Sequence, residues 1–254
     1  MRRLYITVGV ALLSWSVVLQ AAAPTLGQHA AVNGTTTYDI SPTMLTDGST
    51  LVVGIGQPGG DADQAYSLSD GVNTWSSAVL SANTSGATPS RHCQIFYAPN
   101  IVTTAGALTI TVTVSNGNGA SRAQWVEVLG AHLTAPLNQT DSVAESGNNT
   151  THAAAVSMTT ASDVFVYTIM VGNSALGTFT PTTTTTPDFI TLAGDFSVGD
   201  TVSQYYSGAT ALSADTITWS SATGRTVANC AASFIAPAAG GRAPSLSTLM
   251  ARGR

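Results

Sequence analysis

The chain has 254 residues, of which 44% are hydrophobic and 24 are glycine, enough apolar material for a sizeable core, and this excludes a wholly disordered chain. Only 8% of residues are charged, far below the share in an ordinary soluble domain, and every basic residue is an arginine. Five arginines lie at the ends (Arg2, Arg3, Arg242, Arg252 and Arg254), which leaves Arg91, Arg122 and Arg225 against thirteen Asp and Glu; that balance repels phosphate and excludes nucleic acid as a partner.

Arg2-Arg3, an apolar run over residues 4–19 and then Ala21-Ala22-Ala23 follow the charged, greasy and small-residue order of a secretory signal. Residues 1–23 are therefore expected to be a signal peptide, with the protein secreted or at the cell surface. Cleavage after Ala23 would leave Pro24 at the new terminus, a poor start. In the alternative, residues 15–22 form the first strand and the protein is a virion component.

Strands are predicted at residues 35–40, 50–56, 65–69, 74–80, 91–98, 108–115 and 121–129. The clearest is 108–115, where Leu108, Ile110, Val112 and Val114 alternate with Thr109, Thr111, Thr113 and Ser115, the period of a half-buried strand. Asp70-Gly71 and Asn116-Gly117 mark turns. The polar stretch 138–151 reads as a connection, after which strands are predicted at 153–158, 163–172, 188–192, 201–207, 215–220 and 226–236. No segment after residue 23 has helical period, so the expected class is an all-β antiparallel sandwich, jelly-roll or Ig-like.

The two groups of strands match in order over residues 51–131 and 164–236. Leu51–Gly56 aligns with Val166–Gly172, Cys93–Ala98 with Ser203–Gly208, Leu108–Thr113 with Asp215–Ser220, and Arg122–Leu129 with Val227–Phe234. This is a duplicated set of strands. Runs 51–55 and 164–171 are apolar on both faces, as in strands covered on two sides. The expectation is one domain over residues 24–236 with both sets interleaved around one core, rather than two small sandwiches. Residues 237–254, rich in Ala, Gly, Ser and Arg, form a flexible basic tail or an arm that grips a neighbouring subunit.

Ser69-Asp-Gly-Val-Asn-Thr-Trp75, Ile95-Phe-Tyr-Ala-Pro-Asn100, Thr109-Ile-Thr-Val-Thr113 and Glu127-Val-Leu-Gly130, with Pro136-Leu137 after it, give the chain a family resemblance. Over most of residues 17–236 it resembles duplicated β-sandwich modules of bacterial exoproteins and tailed-phage structural proteins. Those modules tend to have Glu-Tyr-Ser-Gly where this chain has Glu127-Val-Leu-Gly130. The resemblance implies a sandwich fold and a surface location, and it carries over no catalytic residue.

The sequence holds no HExxH, nucleophile elbow, phosphate loop or dinucleotide fingerprint. His29, His92, His132 and His152 have no short metal-ligand spacing. Asp61 and Asp63, and likewise Asp195 and Asp200, are loop carboxylates that can contribute oxygens to a Ca²⁺ ion, the one cofactor to consider. Trp75, beside the Asp70-Gly71 turn, and adjacent Tyr205 and Tyr206, which must face opposite sides, are candidates for stacking against sugar. Cys93 and Cys230 either form a disulfide or are two small buried thiols. The expected function is non-enzymatic: a structural or adhesive surface protein whose partners are other surface or virion proteins, cell-surface glycans or further copies of itself. A carbohydrate-binding module and an enzyme of unrecognised type are the alternatives.

Overall fold

The computed structural model describes residues 22–58, 65–82, 91–115, 120–154, 164–172, 180–183, 189–192, 201–208 and 217–237. The expected signal or first strand at the N-terminus, apart from Ala22 and Ala23, and the tail 237–254, apart from Pro237, lie outside these residues. So do Asp61, Asp63, Asp195 and Asp200. All regular structure among the described residues is β.

Residues Ala22–Pro237 form one compact unit. Its first half contains β1 (Thr25–Gly34), β2 (Tyr38–Ile40), β3 (Thr50–Gln57), β4 (Ala65–Ser69), β5 (Ser76–Leu80), β6 (His92–Ala98), β7 (Ile110–Ser115) and β8 (Ser121–Leu129). The second contains β9 (Leu137–Ala154), β10 (Val164–Gly172), β11 (Thr180–Thr183), β12 (Ile190–Thr191), β13 (Thr201–Gly208) and β14 (Ile217–Ile235). All pairings between them are antiparallel.

The first half makes a five-stranded sheet, β1-β8-β3-β6-β5, and a three-stranded sheet, β2-β7-β4. First pairs with eighth, second with seventh and third with sixth, which is the connectivity of a hairpin rolled into a jelly roll. The one departure is β5, which joins β6 at the sheet edge.

The second half repeats this order with fewer breaks. β9 runs beside β14 for its whole length, doing the work of both β1 and β2, while β14 does that of β7 and β8. The start of β14 pairs with β11 as β7 pairs with β4, and its end pairs with β10 as β8 pairs with β3. Duplication is thus visible in the hydrogen-bond ladder itself.

Strands of the two halves do not mix within a sheet, so the expected interleaving around a single core is replaced by stacking. One core, with Leu51, Val53, Ile55, Ile110, Val112 and Trp125, lies between the two sheets of the first half. A second joins the halves: Val52, Ile95, Val126 and Val128 from one meet Phe165, Tyr167, Ile169 and Phe234 from the other. Val164, Val166, Met170 and Tyr206 belong to a third, on the far face of β10 and β13. This explains why β3 and β10 are buried at every position and read as unbroken apolar runs.

Register corrects the alignment of the halves. Leu51 pairs with Ala98, and Val164 with Gly208; with Ala98 and Gly208 equivalent, Leu51 corresponds to Val164, not Val166. Leu51 also pairs with Glu127, and Val164 with Ile235, so Glu127 corresponds to Ile235 rather than Ala232. An odd slip moves a side chain to the other face, and Ala232 indeed lies in the joining core.

In this register Gly54 is the equivalent of Tyr167, and the two meet across the stack. A Cβ at Gly54 would lie 2.5 Å from Tyr167 Oη, so only glycine admits the ring. Tyr167 donates to Gln124 O at 3.3 Å, and Ser203 Oγ donates to Gln124 Oε1 at 2.6 Å. Burial raises the Tyr167 pKa, with partial relief from Ser203, so the phenol stays protonated.

Candidate functional site

One end of the first sandwich gathers three loops: residues 41–49 between β2 and β3, 70–75 between β4 and β5, and 99–109 between β6 and β7. These loops brace one another. Leu45 N donates to Gly106 O at 2.7 Å, Leu108 N to Pro42 O at 3.1 Å, Gly48 N to Ile101 O at 2.9 Å and Ile101 N to Ser49 O at 2.9 Å.

Side chains complete the bracing. Asp70 Oδ1 accepts from Val72 N at 2.9 Å and Asn73 N at 2.7 Å, and its Oδ2 accepts from Asn73 Nδ2 at 2.8 Å. That Asx turn fixes Asn73 so that its amide grips Val102 both ways, donating to its carbonyl at 3.1 Å and accepting from its N–H at 2.8 Å. Asp47 Oδ1 accepts from Thr103 N and Thr103 Oγ1, both at 2.8 Å. Below them the buried Glu127 accepts from Thr46 N at 2.6 Å, Ser49 Oγ at 3.1 Å and Gln28 N at 3.3 Å.

Electrostatics follow from these bonds. The Thr103 hydroxyl, then its amide, holds the Asp47 carboxyl below the usual range. For Asp70, burial pushes the pKa up, but the donors on Asn73 and Val72 outweigh it and the net shift is downward. Both carboxylates are therefore ionised structural acceptors, unsuited to passing a proton at neutral pH.

The bracing supports a strained backbone with apolar tips. Met44, Asn100 and Ala105, the non-glycine residues with positive φ among those described, all lie in these loops at φ of 59°, 48° and 54°. Met44, Val72 and Val102 are 72%, 64% and 56% exposed, which is high for large apolar side chains held in place. Beside them an open depression of about 390 Å³ is lined by Asp70, Val72, Thr104, Ala107, Leu108 and Thr109.

The residues picked from sequence for sugar stacking are used otherwise. Trp75 sits at the foot of this loop end, half-buried against the first core. Tyr205 and Tyr206 do face opposite sides, but β13 lies between two packed layers, so neither offers a free ring. Tyr205 stacks on Phe165 with ring centres 5.5 Å apart, and Tyr206 packs on Phe189 at 5.8 Å. The calcium candidates Asp61, Asp63, Asp195 and Asp200 fall outside the described residues, among which no group of three metal-ligating side chains occurs.

Cys93 on β6 and Cys230 on β14 are joined in a disulfide, with Cα atoms 6.0 Å apart, which ties one half to the other across the joining core. Met44, Asp47 and Val102 were missed in the sequence because nothing local marks them. The Asp70–Asn73 turn does carry a local signal, in Asp-Gly-Val-Asn.

These features define an all-β sandwich protein of two related, stacked halves, with a braced loop surface at one end of the first. No family model, curated protein or solved structure matches the chain.

Proposed function

We propose that the chain is a non-enzymatic structural or adhesive surface protein, secreted or virion-associated, which makes contact through the loop end of its first sandwich. The observation that carries this is the presentation of Met44, Val72 and Val102 on three loops locked together by backbone and side-chain hydrogen bonds. Pre-ordering such loops lowers the entropy lost on contact, a benefit that a solvent-facing loop without a partner does not need. The absence of a recognisable catalytic motif in the sequence, the low charge and the ionised, hydrogen-bonded state of Asp47 and Asp70 fit that reading. Its partners are then other surface or virion proteins, or further copies of the chain.

Cross-linking mass spectrometry and negative-stain imaging of the protein in its native setting test this. Cross-links from residues 41–49, 70–75 and 99–109 to a neighbouring protein on a particle or cell surface are expected. A population of lone monomers without such association overturns the proposal. Val72→Asp with Val102→Asp should abolish the association while leaving the unfolding midpoint within about 1 °C, because both side chains are exposed. A positive glycan array on the wild type would redirect the reading to carbohydrate.

A further inference from the structure

The outer side of β1 lacks the protection that the other sheet edges carry. β1 pairs with β8 on one side, and among the described residues no strand lies on the other. Such an edge is a template for a further strand unless short length, charge, proline or a bulge prevents pairing. The other described edges have that protection. β2, β4, β5, β11 and β12 are five residues long or shorter, with Pro181 in β11 and a register shift within β5. β9 is long but carries Asp141 and Glu145. β1 has ten residues, among them no proline and no Asp, Glu, Lys or Arg. Its register shift between Leu26 and His29 confines regular pairing to residues 29–34, where Ala30 and Asn33 are exposed. One pair of positions condenses the contrast: Val32 lies opposite Ala123, and Asp141 lies opposite the equivalent Ala231.

Apolar surface on the same side of the molecule decides what fits there. β3 packs on β10, β6 on β14 and β5 on β9, so the two main sheets stack in matching order. Followed outward, that order brings β8 to β13, where Ser203 Oγ donates to Gln124 Oε1, and puts β1 and β12 on one side of the stack. On β12, Ile190 is 53% exposed. A lone strand added to β1 would leave Ile190 in water. A second copy of the chain covers both, because its own β1 and β12 share a side in the same way.

We infer that β1 is a homodimer edge: two copies pair their β1 strands antiparallel about a two-fold axis, which continues the five-stranded sheet from one copy into the other and brings both Ile190 side chains to the seam. Residues opposite one another in a ladder point to the same face, so an axis that keeps both second halves on one side passes through a residue, Ala31 or Val32. Each copy then sets only small or neutral side chains of β1 against the other. No Asp or Glu of β1 meets its like, although the chain as a whole carries a net charge of -5.

Sedimentation equilibrium of the full chain, over a dilution series from low micromolar to near-millimolar protein, tests the inference. The wild type should pass from the mass of one chain to twice that mass. Amide exchange of residues 29–34 should slow over the same range, with β3 and β10 unchanged. Ala30→Lys with Asn33→Lys, both at exposed positions, sets one lysine diagonal to its own copy whichever residue the axis passes through, and should raise the dissociation constant about fivefold. Ile190→Lys should weaken the dimer through the second sheet. Leu80→Lys, at an exposed position on the far edge strand β5, should leave the dimer intact. A monomer throughout, a dimer indifferent to Ala30→Lys with Asn33→Lys or to Ile190→Lys, or one dissolved by Leu80→Lys overturns the inference. If the β1 variant does not fold, exchange in the wild type decides, and residues 29–34 that gain no protection on concentration overturn it.

Discussion

The two sandwiches turn the same corner by different means. In the first, β1 ends at Gly34 and β2 begins at Tyr38, while β7 ends at Ser115 and β8 begins at Ser121, so the two sheets are separate. In the second, β9 and β14 run through the corner as single strands, with register shifts between Ser220 and Arg225 and between Arg225 and Val227. Bulges of this kind bend a strand from one sheet into the next. Strand order defines the fold; where a strand is cut is a local matter. The polar specialisation is equally one-sided: Glu127 and His92 of the first half correspond to Ile235 and Val202 of the second.

The comparison breaks most completely at the shared face. Tyr167 is fully buried and heads the largest such side chains. Tyr167→Ala should cost about 4 kcal/mol by loss of transfer energy and by the cavity left. Chemical denaturation should show both halves unfolding together at a lower midpoint. Gly54→Ala should be severe alone, since its Cβ would press on the phenol, yet nearly free in the Tyr167→Ala background. A double-mutant cycle should return a coupling of about 2 kcal/mol, and additivity would refute the claimed contact.

Next in size is the disulfide. It spans 137 residues of sequence, and its replacement by Cys93→Ser with Cys230→Ser should cost about 3 kcal/mol, within the usual range for a native cross-link. Calorimetry with and without reductant measures it. The cost should appear as weaker coupling between the halves, with two resolved transitions where the native protein shows one. A single transition at an unchanged temperature would mean that the joining core alone holds the stack.

A third change touches only the first half. Glu127→Ala removes the acceptor for Thr46 N, Ser49 Oγ and Gln28 N and should cost about 2 kcal/mol, because buried donors lose their partner. Hydrogen exchange should rise in loop 41–49 and the start of β1, with β10 and β13 unaffected. Ile235→Ala, at the equivalent site, should leave those loops protected.

Much of this architecture was legible in the sequence, and the failures have a common cause. Strands with an apolar face, such as 108–115, or apolar throughout, such as β3 and β10, stood out because burial on one or two sides imposes a hydrophobic period. The sequence pattern does not mark β1 or most of β9, whose residues 138–151 read as a connection. Both are edge strands on a single neighbour, β8 and β14, and a strand half open to water keeps no apolar pattern: Asn138-Gln-Thr-Asp-Ser142 satisfies its backbone on β14 without one. The alignment of halves keeps Cys93–Ala98 against Ser203–Gly208 but slips by two residues at Leu51 and by three at Glu127, since matching of apolar runs does not see the face on which each residue lies. The loop site was nearly invisible, because its bonds join residues 47 to 103 and 73 to 102, pairs that no local pattern connects.

The smallest expected effect is the most informative about the loop end. Asn73→Ala removes the two-way grip on Val102 and the contact with Asp70 Oδ2, all at a partly exposed site. Net hydrogen bonds of this kind contribute about 1 kcal/mol, so the unfolding midpoint should barely move. The loop should respond far more than the fold: exchange at Val102 and Thr103 should rise about fivefold, the factor that about 1 kcal/mol implies for a local opening. Asp70→Asn tests the same bracing by another route, since it keeps an oxygen for the backbone amides but loses the charge that draws them. If Val102 loses protection in both variants while Met44 keeps it, loops 70–75 and 99–109 form a unit apart from 41–49. Loss at all three would make the loop end one cooperative platform, as a pre-ordered contact surface requires.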